Sequence, residues 1–241
     1  MAYSQQIITN FYTIIMKHLI LSLLILLPFV INAQKDVTKF LGIPVDGTKS
    51  EMIQKLKAKG FKSSYYDKEI LEGEFNGRSV KIFISTASNI VNRIIVLYGN
   101  KLNRKNVIAQ FNELLNQFNN KTDKYANLSG TCEIFETGDN NTEQIMFDYR
   151  IKESGYRAIY AQRPEAEINK IVEKRLSNKY SIDELNNPDL KIGLDILGEK
   201  INYILEENKI VSFKIFEDEY QKYNLVIFYD NLFNQANGED L

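Results

Sequence analysis

Residues 65–98, YYDKEILEGEFNGRSVKIFISTASNIVNRIIVLY, contain the pattern on which the predicted fold rests. Asn76-Gly77 lies near their centre, and this dipeptide is a strong signal for a two-residue β-hairpin turn. The residues before the turn, Tyr65–Phe75, are predicted to form one strand. After the turn, apolar residues recur at every second position from Val80 to Ile84, as in a strand with one buried face. A third strand is predicted over Arg93–Tyr98, so the stretch predicts an antiparallel meander.

Helices are predicted on both sides of this meander. Before it, Thr48 and Glu51 form the capping box that begins a helix, and Gly60 ends that helix. After it, six apolar residues fall on one stripe at helical spacing. They are Val107, Ile108, Phe111, Leu114, Leu115 and Phe118.

The second half of the chain continues the same pattern. Strands are predicted over Cys132–Phe135, Ile145–Ile151, Tyr156–Gln162, Ile210–Phe216 and Asn224–Tyr229. Pro164 opens one further helix at a favoured early position. Another helix follows Asn187-Pro188 and carries Leu194, Leu197, Ile201 and Ile204. The sequence therefore predicts an α+β fold in which helices pack on one or more antiparallel meander sheets.

The two halves resemble each other locally. Residues 81–100 and 214–231 both contain Lys-Ile-Phe followed by an apolar strand that ends in an aromatic residue and an asparagine. No Pro- or Gly-rich linker separates the halves. Two organisations stay open, either two similar α/β-meander lobes over 34–127 and 128–241 or one compact unit.

Residues 17–33, KHLILSLLILLPFVINA, have the order of a secretory signal. A basic start precedes an apolar run, and the small residue Ala33 offers a cleavage site. We expect cleavage after Ala33, export to the periplasm or medium, and no stable membrane span afterwards. Met16 is an alternative start, which would make residues 1–33 an upstream extension plus a signal peptide. The alternative is a retained anchor over 7–31, but polar residues interrupt the roughly 20 apolar positions that a span needs.

The composition excludes several chemistries from the exported chain. His18 is the only histidine and Cys132 the only cysteine, so His-based triads, His-based zinc sites and internal disulfides are excluded. Residues 1–33 hold one lysine and no acid, which leaves 29 basic and 31 acidic side chains, a balance that does not favour nucleic acid. Segment 138–143 lacks the spacing of a calcium loop and is better explained as a hairpin turn. No catalytic, cofactor-binding or metal-binding residue is predicted.

Several short segments resemble those of a group of uncharacterised exported proteins of Bacteroidetes-type bacteria. They are Phe40–Gly47, Leu56–Phe61, Gly73–Gly77, Tyr229–Leu232 and Asn237–Leu241. This resemblance covers nearly all of the exported chain and implies no known activity. The order of elements is also similar to small α+β folds of the β-lactamase-inhibitor-protein and outer-membrane-assembly-lipoprotein kind. That similarity implies protein binding rather than catalysis, although a fold does not determine a function.

Three functions stay open. The first is a non-catalytic exported module that binds an unknown protein or an envelope component. The second is a small-molecule or lipid carrier with an apolar cavity, and the third is a carboxylate-based hydrolase with two facing acids. The binding hypothesis rests on the tyrosines, because a tyrosine ring offers an apolar face and a polar tip. The candidate binding surface consists of Tyr65, Tyr66, Tyr156, Tyr160, Tyr220 and Tyr223.

Overall fold

Ten strands and five helices lie in the parts of the chain that the computed structural model describes, residues 36–129 and 156–235. The strands are β1 (Lys39–Phe40), β2 (Ile43–Pro44), β3 (Lys62–Ser63), β4 (Leu71–Phe75), β5 (Arg78–Ala87), β6 (Ile90–Tyr98), β7 (Ala126–Asn127), β8 (Arg157–Ala161), β9 (Lys209–Glu217) and β10 (Tyr223–Asn231). The helices are α1 (Lys49–Ala58), α2 (Arg104–Asn119), α3 (Glu165–Leu176), α4 (Ile182–Asn186) and α5 (Leu190–Glu207). They belong to the compact unit Val37–Leu241.

Eight of these strands form one antiparallel sheet in the order β3-β4-β5-β6-β10-β9-β8-β7. The short strands β1 and β2 form a separate ribbon. In the large sheet, β6 from the first half of the chain pairs with β10 from the second half, so the strand order is symmetric about this junction. The predicted α+β fold with an antiparallel meander is confirmed. Whether 34–127 and 128–241 are a duplicated pair of lobes stays a prediction.

The Asn76-Gly77 turn connects β4 and β5 as predicted. Both residues have positive φ, 51° and 70°, which matches the backbone twist of a tight hairpin. The strand before the turn is shorter than predicted, because it begins at Leu71 rather than at Tyr65. Asp67 explains the difference. Its carboxylate accepts the Glu69 N–H at 2.9 Å, and this local bond stabilises a turn in place of a sheet ladder.

Helix α1 begins and ends as the sequence predicts. The Thr48 hydroxyl accepts the Glu51 N–H at 3.3 Å, and the Glu51 carboxylate accepts the Thr48 N–H at 3.0 Å. After the helix, Gly60 has φ of 100°. The Phe61 N–H then donates to the Leu56 carbonyl at 3.3 Å, which is the Schellman stop.

Helices α1 and α2 cover one face of the sheet, which we call the core face. All six residues of the predicted α2 stripe are buried. They share one cluster with the buried residues of α1 and with alternate residues of the central strands. The strand contributions include Val80, Ile82, Ile94, Val96, Tyr160, Phe213, Ile215, Leu225, Ile227 and Tyr229.

Helices α3 and α5 pack at the β7–β8–β9 end of the sheet around a smaller cluster. This cluster contains Ala126, Ala161, Ile168, Val172, Leu176, Tyr203 and Ile204. Ala161 follows Tyr160 in β8 and therefore lies on the face opposite the core face. Ion pairs of Arg163 with Glu167 and Glu207 join the loop before α3 to both helices.

The helix predicted after Asn187-Pro188 is present as α5, but most of its predicted apolar stripe faces outward. Of that stripe, Ile204 is buried. Leu194, Leu197 and Ile201 are between 45 and 59% exposed. The helix contacts the molecule instead mainly through the opposite face, which includes Ile192 and Tyr203.

Several predictions fall on residues outside the described ranges. These are the signal over 1–33, the strands over Cys132–Phe135 and Ile145–Ile151, and the turn at 138–143. Within the described ranges, no helix has the length and apolar character needed to cross a bilayer.

Candidate functional site

The central strands carry a second set of side chains on the face opposite the core face. Because side chains alternate along a strand, the residues between the core positions share this face. We call it the open face. It combines apolar and basic side chains, and Phe83, Ile95 and Phe228 on it are partly exposed. Its main members are Lys81, Phe83, Arg93, Ile95, Leu97, Arg157, Ser212, Lys214, Phe216, Val226 and Phe228.

A shallow hollow of about 230 Å³ lies on the open face. Its lining comes from four neighbouring strands and consists of Arg93, Arg157, Lys214, Phe216 and Phe228. The two phenyl rings meet edge to face with centroids 6.2 Å apart, and Phe216 is 41% exposed. The hollow therefore has an apolar floor and a basic rim.

Two of the basic side chains are direct cross-strand neighbours on the same face of the sheet. Arg157 on β8 pairs in register with Lys214 on β9. Like charges in such a position destabilise a sheet by an amount on the order of 0.2–1 kcal/mol. Among the described residues, neither side chain forms an ion pair with a carboxylate. Arg157 donates to the Ser212 hydroxyl at 3.4 Å, and the Lys214 ammonium lies 5.2 Å from the centroid of the Phe216 ring.

The third cation, Arg93, is held in place by Asp230. Its Nη2 donates to Oδ2 of Asp230 at 3.2 Å, and its Nε donates to the other carboxylate oxygen. The guanidinium carbon also lies 5.1 Å from the centroid of the Phe228 ring. Since the Asp230 side chain is only 6% exposed, its charge is largely engaged by Arg93. The open charges of the hollow are therefore those of Arg157 and Lys214.

This arrangement is suited to binding an anionic group. Arginine offers a planar set of donors that matches a carboxylate or phosphate, and lysine adds a point charge. The phenyl floor would contact an apolar part of the same ligand. Among the described residues, the side chains that line the hollow are two arginines, one lysine and two phenylalanines.

Local sequence patterns do not indicate this hollow. Each of its residues lies in a predicted strand or beside one, and the cations occupy polar positions of an alternating pattern. The available signal was the Lys-Ile-Phe repeat, which places Lys214 and Phe216 on one face because they are two residues apart. Their relation to Arg93 and Arg157 depends on strand order, which a local pattern does not contain.

The six candidate tyrosines do not form one surface. Tyr160 is fully buried in the core, and its hydroxyl donates to Oδ1 of Asn119 at 2.8 Å. Tyr223 is 5% exposed, and Tyr156 is partly buried against Phe111. The other three are exposed on two separate turns. Tyr65 and Tyr66 stack edge to face before β4, and Tyr220 lies between β9 and β10.

A second hollow, of about 280 Å³, lies near the Asn76-Gly77 turn. Tyr98 lines it, and burial raises the pKa of the Tyr98 hydroxyl to about 12, partly opposed by a hydrogen bond with Asn76. The hydroxyl is therefore protonated at neutral pH. Neither this hollow nor the one on the open face is lined by the two carboxylates that glycoside hydrolysis uses.

In the described ranges, no cluster of three or more His, Cys, Asp or Glu side chains has the geometry to hold a metal ion. Comparison of the chain with protein-family models, with curated protein sequences and with solved structures finds no match.

Proposed function

We propose that this protein is a non-catalytic exported module that binds a protein or an envelope component, and that it does so through the open face. The partner presents an anionic group next to an apolar one. One observation carries the proposal. Arg157 and Lys214 stand opposite each other beside an exposed phenyl ring, without an anionic partner among the described residues.

The pair of cations favours the binding of an anion energetically. Two cations at paired positions of neighbouring strands lower the stability of the free protein, and an anion placed between them removes this repulsion. The same anion gains charge-assisted hydrogen bonds from Arg157, roughly 1.5–3 kcal/mol each for bonds to charged groups. An anionic ligand is thus favoured by the hydrogen bonds that it accepts from Arg157 and by the loss of repulsion between Arg157 and Lys214.

The floor of the hollow adds a second requirement. Phe216 and Phe228 expose apolar surface, and a small inorganic anion would not cover this surface from water. Large exposed apolar patches usually mark contact sites, and aromatic residues contribute strongly to binding at such sites. A ligand that carries both an anionic and an apolar group therefore fits better than a free anion.

The test exploits the absence of tryptophan from the chain. Three peptides are titrated with the protein, and each contains one tryptophan beside glutamates, beside glutamines or beside lysines. The tryptophan fluorescence of the peptide reports its binding. The acidic peptide should bind best, and added salt should weaken its binding because exposed charges are screened. Anionic and zwitterionic vesicles, titrated in parallel, distinguish a lipid component from a protein partner.

Variants then locate the binding surface. Replacing both Arg157 and Lys214 by alanine should weaken binding of the acidic probe about tenfold or more, since about 1.4 kcal/mol corresponds to a factor of ten. Lys81→Ala is the matched control, because Lys81 lies on the same face but has Glu72 as a partner at 3.7 Å. Equal binding of all three peptides, or an unaffected double variant, would refute the proposal. Substrate turnover that a single Asp or Glu substitution abolishes would favour the hydrolase instead.

A further inference from the structure

Helix α5 presents a row of five exposed aliphatic side chains, which we call the α5 stripe. The exposed fractions are 82% for Leu190, 59% for Leu194, 45% for Leu197, 45% for Ile201 and 54% for Leu205. With 3.6 residues per turn, these side chains fall within an arc of roughly 80° and extend over roughly 22 Å of helix. Single exposed aliphatic residues are ordinary, but five in a row usually mark an interaction site.

The helix cannot turn this stripe inward, because its other faces are already engaged. Ile192, Tyr203 and Ile204 are buried against the rest of the molecule. Polar contacts with α3 and its flanking segments hold the remaining sides. They are the ion pairs Arg175–Glu206, Arg163–Glu207 and Lys179–Asp195, and the bond from the Tyr180 hydroxyl to Asp195.

The spacing of the stripe is symmetric about a point between Leu197 and Gly198. Leu190 and Leu205 are equally far from that point, as are Leu194 and Ile201. When a helix pairs with an antiparallel copy of itself, residues at equal distances from the centre lie opposite each other. The stripe therefore matches its own antiparallel image, which is the property that a two-fold interface requires.

The centre of the stripe supports the same arrangement. Gly198 has open space where a Cβ would lie, so it leaves room for Leu197 of a second copy. In a parallel pair Leu197 would instead lie level with Leu197 of the second copy, and this space would not be filled.

We propose that α5 pairs with α5 of a second copy of this chain, in antiparallel orientation, to form a two-fold symmetric dimer. The α5 stripe is the centre of this interface. A single pair of helices buries less than the roughly 800 Å² per partner of a standard interface, so the dimer is weak and depends on concentration. This inference is independent of ligand binding at the open face.

Sedimentation velocity over a range of protein concentrations tests the dimer. The purified protein should shift from monomer to dimer as the concentration rises. Replacing Leu194 and Ile201 together by glutamate should abolish the shift, and circular dichroism should show an unchanged fold because both side chains are exposed. Lys170→Glu on α3 is the control for a change of charge and should leave the shift intact. A chain that stays monomeric at every concentration, or a dimer that the double variant leaves intact, would overturn the proposal.

Cysteine cross-linking tests the orientation, in a Cys132→Ser background. With a short bismaleimide, Leu197→Cys should cross-link to itself. Leu190→Cys and Leu205→Cys should each fail alone but cross-link when the two proteins are mixed, because like positions lie roughly 22 Å apart in the antiparallel pair. If Leu190→Cys and Leu205→Cys each cross-link to themselves, the helices are parallel and the proposed interface is wrong.

Discussion

Arg93 and Asp230 face each other across the β6–β10 junction, and their ion pair links the two halves of the chain on the open face. The Asp230 side chain is nearly buried, whereas the Arg93 side chain is 39% exposed. Loss of the ion pair should therefore cost more free energy when it leaves the buried carboxylate alone than when it leaves the exposed guanidinium alone. The same arginine lies over the Phe228 ring at the floor of the hollow, so the pair also supports the candidate site.

The first prediction follows from this asymmetry. Arg93→Ala should lower the free energy of unfolding by roughly 1–3 kcal/mol, because it leaves a buried carboxylate without its partner. Asp230→Asn should cost less, since the exposed guanidinium can turn to water. Urea denaturation of both single variants and the double variant measures the coupling between the two residues. A larger loss for Asp230→Asn than for Arg93→Ala would contradict the interpretation.

The second prediction concerns the α2 stripe. Phe111 is fully buried and meets the Phe213 ring at a centroid distance of 5.1 Å. Phe111→Ala should therefore cost roughly 3–5 kcal/mol of unfolding free energy. Asn116→Ala, at an exposed position of the same helix, should stay within about 0.5 kcal/mol. Chemical denaturation that shows similar small losses for both variants would mean that α2 does not pack as described.

The third prediction compares two glycines. A Cβ on Gly73 would lie 2.5 Å from Cδ1 of the buried Phe61 ring, so Gly73→Ala should destabilise the protein by roughly 1–3 kcal/mol. A Cβ on Gly193, inside α5, meets open space. Gly193→Ala should therefore raise stability by roughly 0.5–1 kcal/mol through helix propensity. Thermal unfolding of the two variants should show shifts of opposite sign, and shifts of the same sign would contradict the packing at Gly73.

The fourth prediction concerns acid. Asp218 in the β9–β10 turn accepts the Lys101 ammonium at 2.5 Å and the Lys222 and Tyr220 N–H groups at 2.9 Å each. The bond from Lys101, followed by that from Lys222, lowers the pKa of the Asp218 carboxyl below its ordinary value of 3.8. A lowered pKa means that the charged form stabilises the fold, and that this contribution is lost as the pH falls below about 3.8.

Asp218→Asn tests this sign. The wild-type protein should be more stable than the variant at neutral pH, and the difference should shrink as the solution is acidified below the ordinary pKa of Asp218. Glu219→Gln, at an exposed position of the same turn, serves as the control. Stability curves against pH that stay parallel for the wild type and Asp218→Asn would refute the prediction.

The fifth prediction separates binding from folding at the open face. Lys214→Glu places an opposite charge across from Arg157, so it should raise the free energy of unfolding by roughly 0.2–1 kcal/mol. The same variant should lose binding of the acidic probe. If Lys214 had only a structural role, its replacement would lower stability, and the combination of higher stability with lost binding would not occur. Lys81→Glu is the comparison, because it breaks a pair with Glu72 instead.

Local sequence patterns predicted most of the elements but not their contacts. The capping box at Thr48, the Asn76-Gly77 turn and the α2 stripe depend on residues a few positions apart, and all three are confirmed. The strand predicted from Tyr65 starts at Leu71 because one side chain, Asp67, stabilises a turn. Such errors are small because the competing interactions are local as well.

The candidate site could not be predicted in the same way. Tyr160 and Tyr223 are aromatic residues in strands, but an aromatic residue in a strand indicates neither which face it joins nor whether a helix covers that face. Arg93, Arg157 and Lys214 come from three strands that are far apart in the chain. They meet because β6 pairs with β10, β10 with β9 and β9 with β8.

Composition and local patterns were sufficient to predict the fold class, the positions of the main turns and caps, and the absence of histidine chemistry from the residues after His18. These properties depend on composition and on periodicities of two or 3.6 residues, which any short window contains. The strand order, the cation pair at Arg157 and Lys214, and the outward direction of the α5 stripe became visible in the folded chain alone. They could not be predicted because a helix or strand has several faces, and the one that becomes buried depends on which distant elements pack against it.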